Sequence, residues 1–293
     1  MRIENYLYPE TVEEAIQHLK EYKGKAKIVA GGTDLVLWLK SDKVQAEALV
    51  DITNIDELQE IKIEKDQLVI GAGVTCTDVS LNKNIKKIFK SLADGCRSVG
   101  SPQIRNMATL AGNIVSAQPA ADASVNFVAL EAKCEVASIE GRRIVNVEDL
   151  YLGVGKSAID STKEIITKIF IEIPKNNYST GFERIAPRNS LALPIVNVAI
   201  KIEVDNNIIT NSKIVTAPVS IVPFRAKNAE SYLIGKDITD EKIIELASIE
   251  AFNEAKPRDS MLRGTGEYRK VLVKELVYKA LEAIKKDLIQ EGR

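Results

Sequence analysis

Apolar residues recur at helical intervals near both ends of the chain. Residues 12–22 carry such a stripe, and Thr11 followed by Glu14 has the spacing of a capping box at its start. Residues 267–290 carry a longer stripe. The side chains that we expect to face a core are Val12, Ala15, Ile16, Leu19 and Tyr22 in the first segment, and Val271, Leu272, Val277, Leu281, Ile284 and Leu288 in the second.

Shorter patterns predict the remaining elements. Helices are predicted at residues 33–39, 77–81, 85–94, 122–130 and 239–255, with Asp122 and Thr239 as the caps of the last two. Strands are predicted at residues 25–30, 49–52, 68–73, 133–138, 142–147, 164–174, 182–185, 195–204 and 208–218, with hairpins at 140–141 and 205–207. The polar stretch 174–178 predicts a domain boundary. The strands and helices after it predict a small antiparallel sheet covered by helices, an α+β layer.

Residues 98–122 show neither kind of periodicity. Gly100 and Gly112 can adopt positive φ, whereas Pro102 and Pro119 fix φ and donate no hydrogen bond. Short polar side chains fill much of the remainder. Long irregular segments inside compact domains are uncommon and are usually functional, so this segment is a candidate binding element.

A second glycine-rich loop lies earlier, where the strand predicted at 25–30 stops at Gly31 and Gly32 and a helix starts at Thr33. The first N–H groups of a helix are free, and the helix dipole is positive there, which suits a pyrophosphate. An ordinary turn capped by Thr33 or Asp34 is an open alternative. The spacing is not the Rossmann G-x-G-x-x-G. Together, the two loops indicate one extended ligand held largely by backbone N–H groups.

The composition indicates a folded globular protein. The chain has 293 residues, enough for about two domains, with 45% hydrophobic and 28% charged residues. A formal net charge of −1 gives no electrostatic reason to expect nucleic acid or an anionic membrane as partner. No apolar run reaches the roughly 18 residues that cross a bilayer, and the N-terminus lacks the apolar region of a signal peptide. We therefore expect a cytoplasmic protein.

Cysteine and histidine are scarce. Cys76, Cys96 and Cys134 are widely separated and odd in number, which fits neither a disulfide framework nor the clustered ligands of a zinc or iron–sulfur site. We expect buried free thiols. His18, the single histidine, lies off the apolar stripe of its helix, so we expect it at the surface. The sequence thus predicts no catalytic side chain and no metal site.

The two loops resemble those of a known family. They read VAGGTDL at residues 29–35 and SPQIRNMATLAGN at residues 101–113, followed by the run at 119–122. These resemble the two FAD-binding motifs of the flavoprotein (medium) subunits of molybdenum hydroxylases, which include xanthine, nicotinate and aerobic carbon monoxide dehydrogenases. The C-terminal third also matches, at residues 255–259 and 268–269. Ala111 stands where the usual second motif has the first of two glycines.

The resemblance implies an α+β fold. Residues 1–175 would form a two-subdomain FAD-binding domain of the vanillyl-alcohol oxidase (PCMH) type, with subdomains at about 1–55 and 56–175. Residues 178–291 would form the family's C-terminal α+β domain, a small antiparallel sheet with helices.

The resemblance also implies the residues that bind FAD. These are Val29, Ala30, Gly31, Gly32, Thr33, Asp34 and Leu35 from the first loop, Thr109, Ala111, Gly112, Asn113 and Asp122 from the second, and Ile166 and Arg184 beside the flavin. Arg184 replaces a lysine of the family, and a purely solvated role for Arg184 and Arg188 is an open alternative. Arg105 is either a structural anchor or a contact to ligand or partner. Neither loop contains histidine or cysteine, so we expect non-covalent FAD.

By the same resemblance, the chain would be an electron-transfer subunit. A molybdopterin-binding large subunit would oxidise the substrate, and electrons would pass through a [2Fe–2S] small subunit and FAD to NAD(P)⁺ or another acceptor. Such a subunit needs no acid–base side chain of its own, because the flavin performs the redox chemistry. The alternatives are a freestanding FAD-dependent oxidase or reductase of the same fold, and a scaffolding subunit that has lost FAD. The substrate would be selected in another subunit.

Overall fold

The computed structural model describes residues 3–188 and 191–291; the first two residues of the predicted FAD-binding domain lie outside this part. Its strands are Asn5–Leu7 (β1), Ala26–Val29 (β2), Ala48–Asp51 (β3), Ile61–Glu64 (β4), Gln67–Gly71 (β5), Lys133–Ser138 (β6), Gly141–Asn146 (β7), Tyr151–Gly153 (β8), Lys156–Ser157 (β9), Glu164–Glu172 (β10), Asn177–Ile185 (β11), Val196–Asp205 (β12), Ile208–Ala217 (β13) and Phe224–Arg225 (β14). Its α-helices are Val12–Glu21 (α1), Leu35–Lys40 (α2), Cys76–Leu81 (α3), Lys83–Ile88 (α4), Lys90–Ser98 (α5), Pro102–Arg105 (α6), Leu110–Ser116 (α7), Ser124–Ala129 (α8), Lys227–Leu233 (α9), Glu241–Glu254 (α10) and Gly266–Glu291 (α11). Turns of 3₁₀ helix lie at Asp56–Leu58 and Glu148–Leu150.

The chain folds into two units, and each is assembled from separate stretches of sequence. The first unit comprises the residues up to 79, 101–117 and 131–172. The second comprises 80–100, 118–130 and the residues from 173 onward. Sequence neighbours therefore belong to different packing units at several points.

The first unit contains a parallel sheet with strand order β1-β3-β2. The Thr11 hydroxyl caps α1 by accepting the Glu14 N–H at 3.1 Å, as the sequence predicts. On α2, Leu39 packs with Val29 and Leu49 in one apolar cluster. The chain thus runs from β2 through the glycine loop and α2 into β3, which is the parallel neighbour of β2.

The other main sheet of this unit is antiparallel, with strand order β4-β5-β10-β6-β7. The predicted hairpin of β6 and β7 is confirmed. The sequence pattern missed β4, because that strand is short and its residues are only half-buried or exposed. Arg142 of β7 donates to Glu135 of β6 and to Glu13 of α1, which ties the helix to the sheet.

The second unit is built on an antiparallel sheet with strand order β11-β12-β13-β14. Alternate residues of β12, including Val198 and Ile200, pack with α9, α10 and α11 in one apolar core. The helices α5 and α8 also lie against this sheet, α5 on β11 and α8 on β12 and β13. Asn206 and Asn207 take left-handed φ values of 48° and 67° in the turn between β12 and β13, which confirms the predicted hairpin.

The structure corrects the predicted helix at residues 85–94. It is two helices, α4 and α5, because Phe89 leaves the helical region with φ −132° and ψ 73°. The Phe89 side chain is fully buried, so packing overrides the continuous helical pattern. The irregular segment 98–122 likewise contains two short helices, α6 and α7.

Two further details of the C-terminal helices differ from the sequence pattern. The cap of α10 is Asp240, whereas the Thr239 hydroxyl donates to Asp237 at 2.7 Å. Val271 does not lie on the buried side of α11, since it is 49% exposed and its neighbour Leu272 is 7% exposed. The cap prediction is therefore displaced by one residue, whereas on α11 Leu272 is confirmed and only Val271 was wrongly included.

The α+β class predicted from the sequence is confirmed by this mixture of sheets and helices. The pairing patterns place the parallel strands in one small sheet and leave the larger sheets antiparallel. Within the described ranges, none of the helices has the length and apolar character needed to cross a membrane.

Replacing Leu276 by alanine should lower the free energy of unfolding by about 3 kcal/mol, because this 1% exposed side chain would leave a cavity in the core. Val271→Ala is the matched control on the same helix and should change it by no more than about 0.5 kcal/mol. Urea titration followed by circular dichroism measures both values. Equal losses in the two variants would show that the buried face of α11 is assigned wrongly.

Candidate functional site

The glycine loop after β2 packs directly on the second irregular segment. Gly31 lies so close to the peptide that joins Met107 and Ala108 that a Cβ atom built on it would be 1.7 Å from the Met107 carbonyl oxygen. Only glycine permits that approach. Gly32 has a left-handed φ of 65°. The two loops singled out in the sequence therefore meet within the first unit.

A row of backbone N–H groups at this loop meets no hydrogen-bond acceptor among the residues that the structure describes. The row consists of the N–H groups of Gly31, Gly32, Thr33, Asp34 and Leu35, and it ends at the start of α2. These residues are half-buried or exposed. The first N–H groups of a helix have no intrahelical acceptor and lie at the positive end of its dipole. The arrangement therefore fits the pyrophosphate of a dinucleotide.

Asp34 lies at the cap position of α2 but makes no capping hydrogen bond, so the capping role considered for it is wrong and the N–H row stays open. Although the residue is exposed by surface area, packing around its carboxylate raises its pKa above the usual value. A hydrogen bond with the Ser116 side chain partly opposes that shift. Asp34 thereby connects the start of α2 with the last residue of α7.

Thr109 holds the second segment in place. Its hydroxyl accepts the Gly112 N–H at 3.1 Å and so caps α7. It also pairs with Thr75 in an isolated bridge, and beside it the Cys76 N–H donates to the Ala108 carbonyl at 2.8 Å. In this structure the Thr109 hydroxyl is therefore engaged in holding the loop.

Ala111 is compatible with the site. It is 7% exposed, so its methyl group is buried in the protein, whereas Gly112 beside it is exposed. Asn113 is half-buried and donates its backbone N–H to the Thr109 carbonyl. The methyl group that replaces a glycine of the usual motif thus leaves the exposed surface of α7 clear.

The remaining predicted polar residues lie in the second unit and contact one another. Asp122 is 5% exposed, and its Oδ1 accepts a hydrogen bond from Asn197 Nδ2 at 2.8 Å. Arg184 Nε lies 3.2 Å from the same oxygen, close enough for an ion pair although its N–H is not aligned for a hydrogen bond. Burial raises the pKa of Asp122 to about 6, against the opposing effects of Arg184 and Asn197.

This cluster changes two sequence interpretations. Asp122 does not cap α8, which begins after Ala123 without a side-chain cap, because its carboxylate is bound to β12 instead. Arg184 is not a solvated arginine, since it pairs with Asp122 and donates Nη2 to the Ala192 carbonyl at 2.7 Å. Arg188 is exposed and donates to the Leu191 carbonyl.

Asn197 and Asn126 belong to this cluster and were missed in the sequence. Both are fully buried, and Asn126 Nδ2 donates to the Asp122 carbonyl at 3.0 Å. The Oδ1 atom of each asparagine has no hydrogen-bond partner within the described ranges. No local pattern marks them, because each sits among apolar residues of a regular element.

Two predicted residues are placed away from these clusters. Ile166 is 3% exposed in β10, where the pairing with β6 shifts register. Such bulges reorient neighbouring side chains. Arg105 is half-buried in the last turn of α6. The structure gives their positions without assigning either a ligand.

All three cysteines are buried and free, as predicted. Burial raises the pKa of Cys134 to about 12, so its thiol is inert at neutral pH. His18 is partly buried, with Nδ1 lying 3.5 Å from Glu21 Oε2. Across residues 3–188 and 191–291, no three His, Cys, Asp or Glu side chains are grouped to hold a metal ion.

Comparison with known proteins covers both parts of the chain. Residues 1–175 match the FAD-binding domain in molybdopterin dehydrogenase, and residues 182–284 match the CO dehydrogenase flavoprotein C-terminal domain. The nicotinate dehydrogenase FAD-subunit of Eubacterium barkeri is 30% identical over 241 residues, which cover 80% of this chain and 81% of the relative. The glyceraldehyde dehydrogenase medium chain of Sulfolobus acidocaldarius is 30% identical over 282 residues, which cover 96% of this chain and 98% of the relative.

Solved structures agree with the sequence comparison. A carbon monoxide dehydrogenase from Hydrogenophaga pseudoflava, which lacks the Mo-pyranopterin moiety of its cofactor, aligns with a TM-score of 0.89. The two chains are 26% identical, and the alignment covers 97% of each. Quinoline 2-oxidoreductase from Pseudomonas putida aligns with a TM-score of 0.87 at the same identity.

The chain belongs to the family of FAD-binding medium subunits of molybdenum hydroxylases, as the two loops indicated. Its fold is the PCMH-type FAD-binding fold followed by the C-terminal domain of CO dehydrogenase flavoproteins. It is therefore an oxidoreductase subunit with FAD as its cofactor. In the homologous complexes, other subunits carry molybdopterin and the iron–sulfur clusters.

Gly31→Ala should weaken FAD binding at least tenfold, because the added methyl would meet the Met107 carbonyl oxygen and push the two loops apart. Titration of the FAD-free chain with FAD, followed by flavin fluorescence, measures the change. Gly24→Ala is the control and should bind FAD like the wild type, because its added methyl meets nothing within 4 Å. Since its φ of +91° also strains an alanine, it reports any effect of backbone strain alone. Equal affinities in the Gly31 variant and the wild type would show that this contact does not organise the site.

The stability of the second unit should depend on the ionisation of Asp122. Its pKa is about 6 in the folded state against 3.8 as the unperturbed value, so the folded state binds the proton more tightly. The resulting stabilisation is fully present below about pH 4 and is lost as the pH rises through about 6, which amounts to about 3 kcal/mol.

Asp122→Asn removes this titration. The wild type should therefore lose about 2 kcal/mol of unfolding free energy relative to the variant between pH 4 and pH 7, which is most of the total. Urea titrations of both proteins at several pH values measure the difference. A difference that stays constant with pH would refute the raised pKa.

Proposed function

We propose that this chain holds FAD non-covalently and passes electrons from a [2Fe–2S] small subunit to NAD(P)⁺ or another acceptor, while a molybdopterin-binding large subunit oxidises the substrate. The observation that carries the proposal is the row of five N–H groups at residues 31–35, which meet no acceptor in the part of the chain that the structure describes. The row begins at the one glycine that lets the loop touch the second segment. When bound, FAD would supply redox chemistry that accepts and releases electrons.

The residues of the first loop have a defined role in this proposal. The backbone N–H groups from Gly31 to Leu35 would donate to the phosphate oxygens. Val29 and Ala30 would set the direction in which the loop leaves β2, and the hydrogen bond from the Ile52 N–H to the Val29 carbonyl at 3.0 Å fixes that exit. The protein would therefore contribute position and charge, with no side chain acting as acid or base.

The remaining residues are proposed in two groups. On α7, Gly112 is exposed and Asn113 is half-buried, so both are accessible to the cofactor, with Thr109 and Ala111 shaping the loop. Asp122 and Arg184 are proposed to bind FAD as an ion pair that the Asn197 amide holds in place. Ile166 would contribute apolar contact from β10.

The substrate is proposed to be chosen elsewhere in the complex. The relatives are named for different substrates, nicotinate and glyceraldehyde among them, although this chain is similar to each of them over most of its length. A chain that transfers electrons needs no contact with the oxidised molecule. The division into domains at 1–175 and 178–291 and the cytoplasmic location stay predictions.

The purified chain should be yellow, with absorption bands near ~450 nm, and acid precipitation should release FAD into the supernatant, as expected of a non-covalent flavoprotein. Anaerobic addition of NADH should then bleach the flavin band if NAD⁺ is the acceptor. The same spectrum recorded with NADPH shows which of the two nicotinamide cofactors reduces the flavin.

A colourless chain that also fails to bind added FAD would overturn the cofactor assignment. Flavin that remains in the precipitate would overturn the non-covalent attachment alone. A flavin that is bleached by dithionite but by neither NADH nor NADPH would be consistent with the electron-transfer role and would rule out NAD(P)⁺ as the acceptor.

A further inference from the structure

The loop at residues 258–264 exposes two neighbouring large apolar side chains. Met261 is 105% exposed and Leu262 is 82% exposed, more than any other large apolar residue of the described chain. Scattered single apolar residues at a surface are ordinary, but two adjacent and fully exposed ones at a loop tip are typical of a contact site.

This loop is held in one conformation by its own backbone. Ser260 and Gly264 exchange two hydrogen bonds, at 3.0 and 2.9 Å. Asp259 accepts the Gly266 N–H at 2.7 Å, and a Cβ atom on Gly266 would lie 2.4 Å from the Pro257 carbonyl oxygen. A preformed loop loses little conformational entropy on binding, which favours a recognition role.

The surroundings of the loop are positively charged. Arg269 is 4% exposed and donates to the carbonyls of Arg258 and Pro218. Burial lowers the pKa of Arg269, and the nearby charges of Arg263 and Arg258 lower it further. None of the three arginines has a carboxylate partner within residues 3–188 and 191–291. Residues 256–270 carry five basic and two acidic side chains, in a chain whose net charge is −1.

A groove of about 530 Å³ lies beside the start of this loop. Its lining includes Val219, Phe224, Glu254 and Lys256. The Glu254 carboxylate already accepts two backbone N–H groups at the start of α9. Val219 follows Pro218, whose carbonyl accepts from Arg269, and Lys256 directly precedes the loop. The groove, the apolar tip and the arginines therefore belong to one end of the second unit.

We propose that this groove and the 258–264 loop form the docking surface for a partner subunit of the oxidoreductase complex. That partner would offer an apolar pocket to Met261 and Leu262 and carboxylates to Arg258 and Arg263. The proposal rests on the proposed function in that it requires a multi-subunit complex. It adds which surface of this chain binds and which chemistry the partner presents.

A second copy of this chain is a poor occupant. In a two-fold symmetric contact the same patch lies on both sides of the interface, so both surfaces would carry the same excess of positive charge. Juxtaposed like charges disfavour association. An acidic partner instead gains from arginines that have no carboxylate partner within the described ranges, and its binding should weaken as salt screens their charge.

Methionine footprinting tests the contact directly. The complex, isolated through a tag on this chain, and the free chain are treated with hydrogen peroxide, and oxidation is read by mass spectrometry. Met261 should oxidise at least tenfold more slowly in the complex, because a covered thioether is less accessible. Met107, 52% exposed in the first unit, reports the oxidant dose in each sample. Equal oxidation rates of Met261 in both samples would overturn the proposal.

Substitutions test how much the apolar tip and the arginines each contribute to partner binding. Met261→Ser combined with Leu262→Ser, and separately Arg258→Glu with Arg263→Glu, should each raise the dissociation constant for the partner subunits at least tenfold. FAD content should stay at the wild-type value in both variants. The melting temperature should be unchanged in the serine variant and fall only slightly in the glutamate variant, which loses the hydrogen bond from Arg263 Nε to the Pro194 carbonyl at 3.2 Å. Leu246→Ser, 45% exposed on α10, is the matched control and should bind normally.

Three results separate this proposal from the proposed function. Unchanged partner affinity in both double variants would overturn the docking surface even if FAD is present. A wild-type chain without FAD would count against the flavin assignment, and the partner affinities would still decide the docking surface. Sedimentation that shows a dimer of the free chain, dissociated by Met261→Ser with Leu262→Ser, would replace the partner by a second copy.

Discussion

The contact between Gly31 and the peptide of Met107 and Ala108 is the constraint on which the first unit's site depends. Backbone can meet backbone at this distance only where one residue has no side chain. That approach positions the start of α2 against a segment that is itself held by Thr109 and Thr75. The open N–H groups of the loop are therefore fixed in place before any ligand binds, which is the condition for tight binding without a large ordering cost.

The second unit relies on a different kind of interaction. Asp122, Arg184 and Asn197 form a buried polar cluster that connects the start of α8 with two strands of the sheet. Buried charges are costly unless they are paired and hydrogen-bonded. Here the pairing is incomplete, since the Oδ1 atoms of Asn126 and Asn197 stay unsatisfied within the described chain. A buried acceptor without a hydrogen bond is a favourable place for a ligand or a water molecule to donate one.

The sequence predicted most elements, and it failed where tertiary packing decides. Periodicity located α1 and α11, and the two glycines located the first loop, because these features are local. The break at Phe89 and the pairing of Asp122 with Asn197 depend on residues far apart in the chain, so no local pattern encodes them. The same holds for β4, whose half-exposed residues carry little apolar signal. The FAD loops were recognisable because their chemistry resides in the backbone.

The interleaving of the two units has a consequence for dividing the protein into pieces. The helices α5 and α8 precede residue 175 in the chain, yet they pack on strands that follow it. A fragment ending at residue 175 would keep both helices and lose the sheet that buries them, so Phe89 and Phe127 would face water. Such a fragment would be prone to aggregate, and swapping C-terminal domains between relatives would require repacking of these helices. The border that separates the two matched sequence families is thus not a place where the fold can be cut.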